Sequence, residues 1–247
     1  MKISVITVVY NNKAVIEDAI RSVLSQNYKD IEYIIIDGAS TDGTLNIIDK
    51  YKKKISRVVS EKDNGTYDAM NKGLKLATGD IVGCLNSDDF YANNNVISTV
   101  AKVFSERKVD CCYSDLDYVS KNKTEKVVRK WKSRYYEDGL FRKGWHPPHP
   151  TLFIKKDVYR KYGYFNLDLK IGADYELMLR FLEKHRINSY YIPEVLIKMR
   201  IGGSSNRSIM QILKANYECY KAFKINGMKP NLLIIFYKLL SKIKQIV

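Results

Sequence analysis

The sequence predicts an α/β chain built on a mostly parallel, doubly wound sheet with helices on both faces. Short β-branched runs at residues 3–9, 31–36, 56–60 and 81–85 alternate with helix-period segments at 14–24, 45–51 and 68–77. That alternation is the pattern of strand–helix–strand units. The run at 31–36 is apolar enough to be buried on both faces, as parallel strands are. Three of the strands end in polar residues: Tyr10, Asp37 and the Asp88-Asp89 pair. In sheets of this kind ligands lie off the carboxyl ends of the strands, so these clusters converge on one edge.

The elements follow in order. The first run ends in Tyr10-Asn11-Asn12, a polar turn. Val15, Ile16, Ala19, Ile20, Val23 and Leu24 then recur at helical spacing. The second strand leads into the turn-rich Asp37-Gly38-Ala39-Ser40-Thr41-Asp42-Gly43-Thr44. The helix at 68–77 stops before Gly79, where helices often end. The fourth strand delivers Asn86-Ser87-Asp88-Asp89. Beyond a helix at 96–104 the pattern loosens: a strand is expected at 109–113 and a basic hairpin at 121–134. Trp145-His146-Pro147-Pro148-His149-Pro150 cannot be helical, because each proline restricts its predecessor. A strand is expected at 151–154, and helices at 174–183 and 209–223. The expected organisation is one domain over 1–205 in two halves, 1–110 and 111–205. C-terminal helices over 206–247 follow.

Bulk composition narrows the function. At 247 residues, 45% of them hydrophobic, one α/β domain with a tail fits better than two domains. The 42 basic against 27 acidic residues give +15, which favours anionic partners. The N-terminal apolar run is too short for a secretion signal, and no stretch is long enough to span a bilayer. Cys84, Cys111, Cys112 and Cys219 have no metal-type spacing, so reduced thiols in the cytoplasm are expected.

Asp88 and Asp89 end a buried strand, where adjacent carboxylates repel and a cation relieves the repulsion. A hard divalent ion shared with a diphosphate suits such oxygen ligands. A solvated turn or a helix cap is the plainer reading of the pair, and its shared edge with Asp37 weighs against that. Asp174 opens a helix, where an acid either caps or acts as a base. His146 and His149 fit diphosphate, sugar or metal contacts, or simple turns. Arg200, Gly202, Gly203 and Arg207 read either as a loop closing on a diphosphate or as solvent-facing arginines. Asp63, Asn64, Tyr67, Asp68 and Asn71 are rich in the polar groups that sugar recognition uses, while Tyr67 and Met70 also fit ordinary packing. Residues 221–247 contain six lysines and no acid. Residues 231–247 thus read as a basic amphipathic helix lying on an anionic membrane surface, or docked on the domain.

These motifs, in this order, resemble the inverting family 2 glycosyltransferases of GT-A fold, of the bacterial polysaccharide-biosynthesis type. The likeness is carried by Ser4-Val5-Ile6-Thr7-Val8-Val9-Tyr10-Asn11, by Ile34-Ile35-Ile36-Asp37-Gly38 with its turn, by Leu85-Asn86-Ser87-Asp88-Asp89 and by Ala173-Asp174-Tyr175-Glu176-Leu177. The segment Asp63-Asn64-Gly65-Thr66-Tyr67-Asp68-Ala69-Met70-Asn71 adds to it. The resemblance implies that Tyr10 lies against the nucleobase and Asp37 sits in the base- and ribose-binding loop. It implies Asp88, with Asp89, on a Mn2+ or Mg2+ ion bridging the donor diphosphate, and Asp174 as catalytic base. Val8, Asn11, Asp63, Asn71, Asn86, Ser87, His149 and Arg200 complete the expected donor site. Gly38 and Asn86 replace acids frequent in the family.

The expected reaction is transfer of a sugar from a nucleoside diphosphate, a UDP-sugar favoured, to a glycan or lipid-linked acceptor, with peripheral contact at the inner face of the membrane. The family pattern leaves room for a homodimer. Nucleotidyl transfer would want a glycine- and lysine-rich phosphate loop near the first strand, which Asn11-Asn12-Lys13-Ala14 is not. A donor-binding protein without catalysis would fit Asn86, but not the retention of Asp174. Nucleic acid is not an expected partner, since no recognised motif accompanies the spread charge.

Overall fold

The computed structural model describes residues 1–202 and 209–230. Its elements are β1 (Ile3–Val9), α1 (Ile16–Leu24), β2 (Ile31–Asp37), α2 (Thr44–Asp49), β3 (Arg57–Ser60), α3 (Thr66–Leu76), β4 (Ile81–Asn86), β5 (Asp89–Tyr91) and α4 (Val96–Glu106). The second half adds β6 (Cys111–Val119), β7 (Val127–Trp131), β8 (Phe153–Lys155), α5 (Lys156–Tyr162), α6 (Ala173–Met178), β9 (Ser189–Arg200) and α7 (Ile209–Ile225). Among the described residues one nine-stranded sheet runs β3-β2-β1-β4-β8-β6-β9-β5, with β7 beside β6.

β1 pairs in parallel with β2 and β4, and β2 with β3, so the alternating first half is the parallel sheet its pattern predicts. The second half is mixed: β8 inserts antiparallel between β4 and β6, β5 pairs antiparallel with β9, and β6 runs parallel to β9. The fold is GT-A-like. Successive residues of β1 and β2 feed opposite cores. Ile6, Val8, Ile34 and Ile36 pack with α3, α6 and α7, while Val5, Tyr33 and Ile35 pack with α1 and α4. Helices therefore cover both faces. Gly73 lets α3 lie directly on β1: a Cβ there would stand 2.4 Å from Ile6 Cγ2.

Several boundaries differ from the expectation. β5 occupies what reads as a turn after Asn86, because its three residues gain a ladder only with the distant β9. The strand expected at 109–113 runs on to Val119, alternating inward residues with Asp115 and Tyr118. The helix expected at 174–183 is α only to Met178. It then widens into a π turn, Leu179–Lys184, around Arg180. Arg180 fastens this turn by donating to the carbonyls of Gly163 (3.0 Å) and Tyr164 (2.7 Å), and by pairing with Glu176.

α7 is docked on the domain through buried Glu218, Cys219, Ala222 and Phe223. No described helix is long and apolar enough to cross a membrane. Gly203, Arg207 and the basic tail at 231–247 lie outside the described residues.

Candidate active site

The carboxyl ends of β1, β2 and β4 bring Tyr10, Asp37 and the Asn86–Asp89 turn onto one edge. The registers Val9↔Asp37 and Val8↔Asn86 align them. Two loops at this edge are laced together. Asn11 donates its main-chain N–H to Ser40 Oγ (2.8 Å) and accepts from Thr41 N (2.8 Å), while Lys13 N donates to Asp42 (2.9 Å). Asn11 and Ala39 adopt positive φ (47° and 61°), a region uncommon for side-chain-bearing residues and recurrent at functional sites.

Asp37 is fully buried. Its Oδ2 accepts from Ser40 N (3.0 Å) and Ser60 Oγ (2.6 Å), and Oδ1 has no partner among the described residues. Gly38 sits where a Cβ would come within 2.5 Å of Asp63 Oδ2 and 3.3 Å of the Tyr10 ring. A side chain at this position would make Asp63 turn aside and would lie against the Tyr10 ring. Tyr10 is 64% exposed, an aromatic face open to solvent beside Asp37 and Asp63.

The Asn86–Asp89 turn is built on unequal acids. Asp88 is half-buried, and its main-chain carbonyl accepts from Arg200 Nη1 (2.8 Å). Asp89 is fully buried. Asn86 donates to its Oδ2 (2.9 Å), and its Oδ1 has no partner. Burial, then the charge of Asp88, pushes the Asp89 carboxyl up to about 8. The amide of Asn86 thus supplies a donor where an acid would add a third negative charge. Ser87 accepts from Asn12 Nδ2 (2.8 Å), tying the turn to the first loop.

This donor set fits a hard divalent cation. It holds two adjacent carboxylates, one with an unsatisfied buried oxygen. Among the described residues no three His, Cys, Asp or Glu side chains form a closed cage. Mg2+ and Mn2+ characteristically take one or two carboxylates and complete their shells with phosphate and water.

Asp174 opens α6, close to this turn. Its Oδ2 lies 3.0 Å from His149 Nδ1, and its Oδ1 accepts from Tyr175 N (2.8 Å) and the Tyr67 hydroxyl (3.1 Å). Burial alone would raise the Asp174 carboxyl, but His149, with His146 and the Tyr175 amide, holds it well below the usual carboxylate range. Burial pulls the His149 imidazole down, and the charges of Asp174, Asp89 and Asp88 outweigh that and raise it. His149 therefore lies between the candidate base and the acidic turn, its proton affinity raised by both.

Glu218 of α7, absent from the expected site, shapes it indirectly. Its carboxylate accepts from the main-chain N–H of Lys170 (3.2 Å), Ile171 (2.8 Å) and Gly172 (2.8 Å), just before Asp174. A lone acid beside the apolar Cys219, Ala222 and Phe223 on a helical period was the signal available. Tyr67 does more than pack, since its hydroxyl binds both Ile171 O (2.6 Å) and Asp174.

Three of the expected donor-site residues are engaged by the fold itself. Asn71 is buried and both ends of its amide engage the Phe165 main chain (2.9 Å each), so it fastens α3 to the loop after α5. The Val8 side chain is core, not a site wall. Arg200 is 4% exposed and lies behind the acidic turn, bonded to Asp88 O and Asp18 and 4.9 Å from the Phe90 ring centroid, so the solvent-facing reading fails. A cavity of about 350 Å³ lies at the opposite edge of the sheet. Its Lys155 and Arg160 already pair with Asp110 and Asp157.

The chain is 31% identical over 208 residues to an uncharacterised glycosyltransferase of Rickettsia typhi, covering 81% of this chain and 64% of that relative's length. It is 28% identical over 208 residues to a PGL/p-HBAD biosynthesis glycosyltransferase of Mycobacterium bovis, covering 82% and 78%. In structure it is similar to S. aureus TarS residues 1–349, solved with UDP-GlcNAc. The TM-score is 0.72 at 19% identity, over 99% of this chain and 73% of that one. It is also similar to the mannosyltransferase PcManGT of Pyrobaculum calidifontis, solved with GDP-Man and Mn2+, with a TM-score of 0.67 at 18% identity over 97% and 69%. The family model described as glycosyl transferase family 2 matches residues 4–163, more than half of the chain, and the chain belongs to that family.

Proposed function

We propose that the protein transfers a sugar from a nucleoside-diphosphate sugar to an acceptor hydroxyl in one inverting displacement. The observation that carries this is the position of Asp174, ionised and shared through His149 with the acidic turn. Tyr10 would cover the nucleobase and Asp37 with Asp63 would hold base and ribose. UDP is the favoured nucleotide, as in the TarS complex. Asp88 and Asp89 would hold a Mn2+ or Mg2+ ion, the metal named in the PcManGT complex being Mn2+. Such an ion neutralises charge on a departing diphosphate.

The chain's own residues do the rest. Asp174 accepts the acceptor's hydroxyl proton as the oxygen attacks the sugar carbon. Its depressed proton affinity keeps it ionised at neutral pH, and His149 steadies the carboxylate's orientation. One base suffices for one displacement, so the product anomer is inverted. The acceptor in this reading is a glycan or a lipid-linked sugar.

Asp174→Asn keeps the shape and removes proton acceptance. Transfer is expected to fall about 10²- to 10⁴-fold while manganese-dependent UDP binding persists. Near-parent turnover by the variant, or a product with retained anomeric configuration by NMR, overturns the assignment.

A further inference from the structure

The mechanism leaves one feature of the active edge unused. Residues 121–134 hold seven basic side chains and one acid, Glu125. They form β7 and its turn from β6. Arg134 pairs with Glu137, but no carboxylate among the described residues lies in ion-pair range of Lys121, Lys123, Lys126, Arg129 or Lys132.

Strand register ties this hairpin to the catalytic edge. Asp89 pairs with Met199, Met199 with Tyr118, and Tyr118 with Arg129, one row across four strands. At the usual strand spacing Arg129 stands about 14 Å from Asp89 along that row. Two residues along β7 from Arg129, Trp131 meets His146 edge-on at 5.2 Å, and His146 meets Tyr175, next to Asp174, at 5.4 Å.

The surface itself is constructed. Tyr118 and Trp131 stack with centroids 6.4 Å apart and planes within 4°. The Arg129 guanidinium lies 4.0 Å from the Tyr118 centroid, and its buried Nε has no acceptor among the described residues. A guanidinium held on an aromatic face keeps a forked set of N–H donors, the geometry that binds phosphate bidentately.

Resting on the reading of the chain as a sugar transferase, we propose that the hairpin is its acceptor subsite and that the acceptor carries a phosphate group. Arg129 and the lysines of the turn bind the phosphate while the acceptor's sugar lies over the Trp131–His146 ledge toward Asp174. Asp89 stands three strands away along the row, beyond hydrogen-bond reach of Arg129, so a phosphate held here is separate from one held at the acidic turn.

The test uses the full chain saturated with manganese and UDP, so that the donor position is filled. Decyl phosphate and the neutral decyl glucoside are titrated by calorimetry, alongside vesicles of phosphatidylglycerol and phosphatidylcholine. Decyl phosphate is expected to bind at least about tenfold more tightly than decyl glucoside. The triple variant Lys123→Glu, Lys126→Glu, Arg129→Gln should lose that preference, and its retained UDP binding reports an intact fold. Lys123→Gln with Lys126→Gln, at exposed turn positions, should lose part of it. Equal binding of the two amphiphiles, or a preference unaltered in the variants, overturns the proposal. Variants that release vesicles but still prefer decyl phosphate make the hairpin a membrane contact and also overturn it. Failure of the parent to bind manganese and UDP would strike the donor reading instead. The decyl phosphate comparison, repeated without UDP, would still decide the hairpin.

Discussion

His149 Nδ1 lies 3.0 Å from Asp174 Oδ2, and the two side chains, 27% and 19% exposed, join the proline-rich loop to the candidate base. The loop brings His149 to α6, and the acids of the β4 turn add to the field that raises its proton affinity.

That pair makes stability depend on pH. Asp174 is depressed, so it contributes stability above the ordinary carboxylate range near 4, which is lost as pH falls. His149 is raised, so its contribution is full below about pH 6.5 and disappears as pH climbs through its folded value. Urea unfolding of the metal-free protein should therefore show a steeper decline in stability above about pH 6.5 than His149→Gln shows, the decline due to Asp89 being common to both. Parallel profiles for parent and variant would mean that the imidazole is neutral in the folded protein.

Asp89 has the opposite sign. A carboxyl raised to about 8 destabilises the metal-free fold increasingly as pH rises from its ordinary range through that value. Asp89→Asn should accordingly stabilise the metal-free protein at pH 8 relative to the parent. It should also abolish the thermal stabilisation that manganese and UDP give the parent. A variant less stable than the parent at that pH contradicts the raised proton affinity.

Arg200 distinguishes support from ligand contact. As a buried guanidinium on the Asp88 carbonyl and Asp18, its replacement in Arg200→Met should cost about 1–3 kcal/mol of unfolding free energy. UDP affinity should fall along with it. Weaker UDP binding at unchanged stability would instead place Arg200 on the diphosphate.

Glu218 is expected to act on Asp174 from a distance. Glu218→Gln can satisfy fewer of the three amides before α6, so a loss of about 1–3 kcal/mol is predicted. Turnover should drop while UDP affinity holds, because the displaced segment carries the base. Measured kcat equal to the parent's would confine Glu218 to stability.

The sequence by itself determined the first half of this protein. β-branched runs alternating with helix-period segments are local patterns, and a parallel sheet aligns the carboxyl ends of its strands whatever the rest of the chain does. Tyr10, Asp37 and Asp88-Asp89 were therefore legible as neighbours, and the ordered motifs carried Asp174. What only the tertiary structure decided depends on long-range partners. β5 exists because β9 lies beside it, and β8 runs antiparallel because it fills the gap between β4 and β6. Asn71 and Arg200 are polar residues of the kind that binds ligands, yet each is consumed by main-chain groups far away in sequence. Glu218 reaches its amides across more than forty residues. Periodicity reports which face of an element is buried. Which buried polar group meets which partner is set by packing, since a buried donor or acceptor must be satisfied by whatever the fold brings within reach.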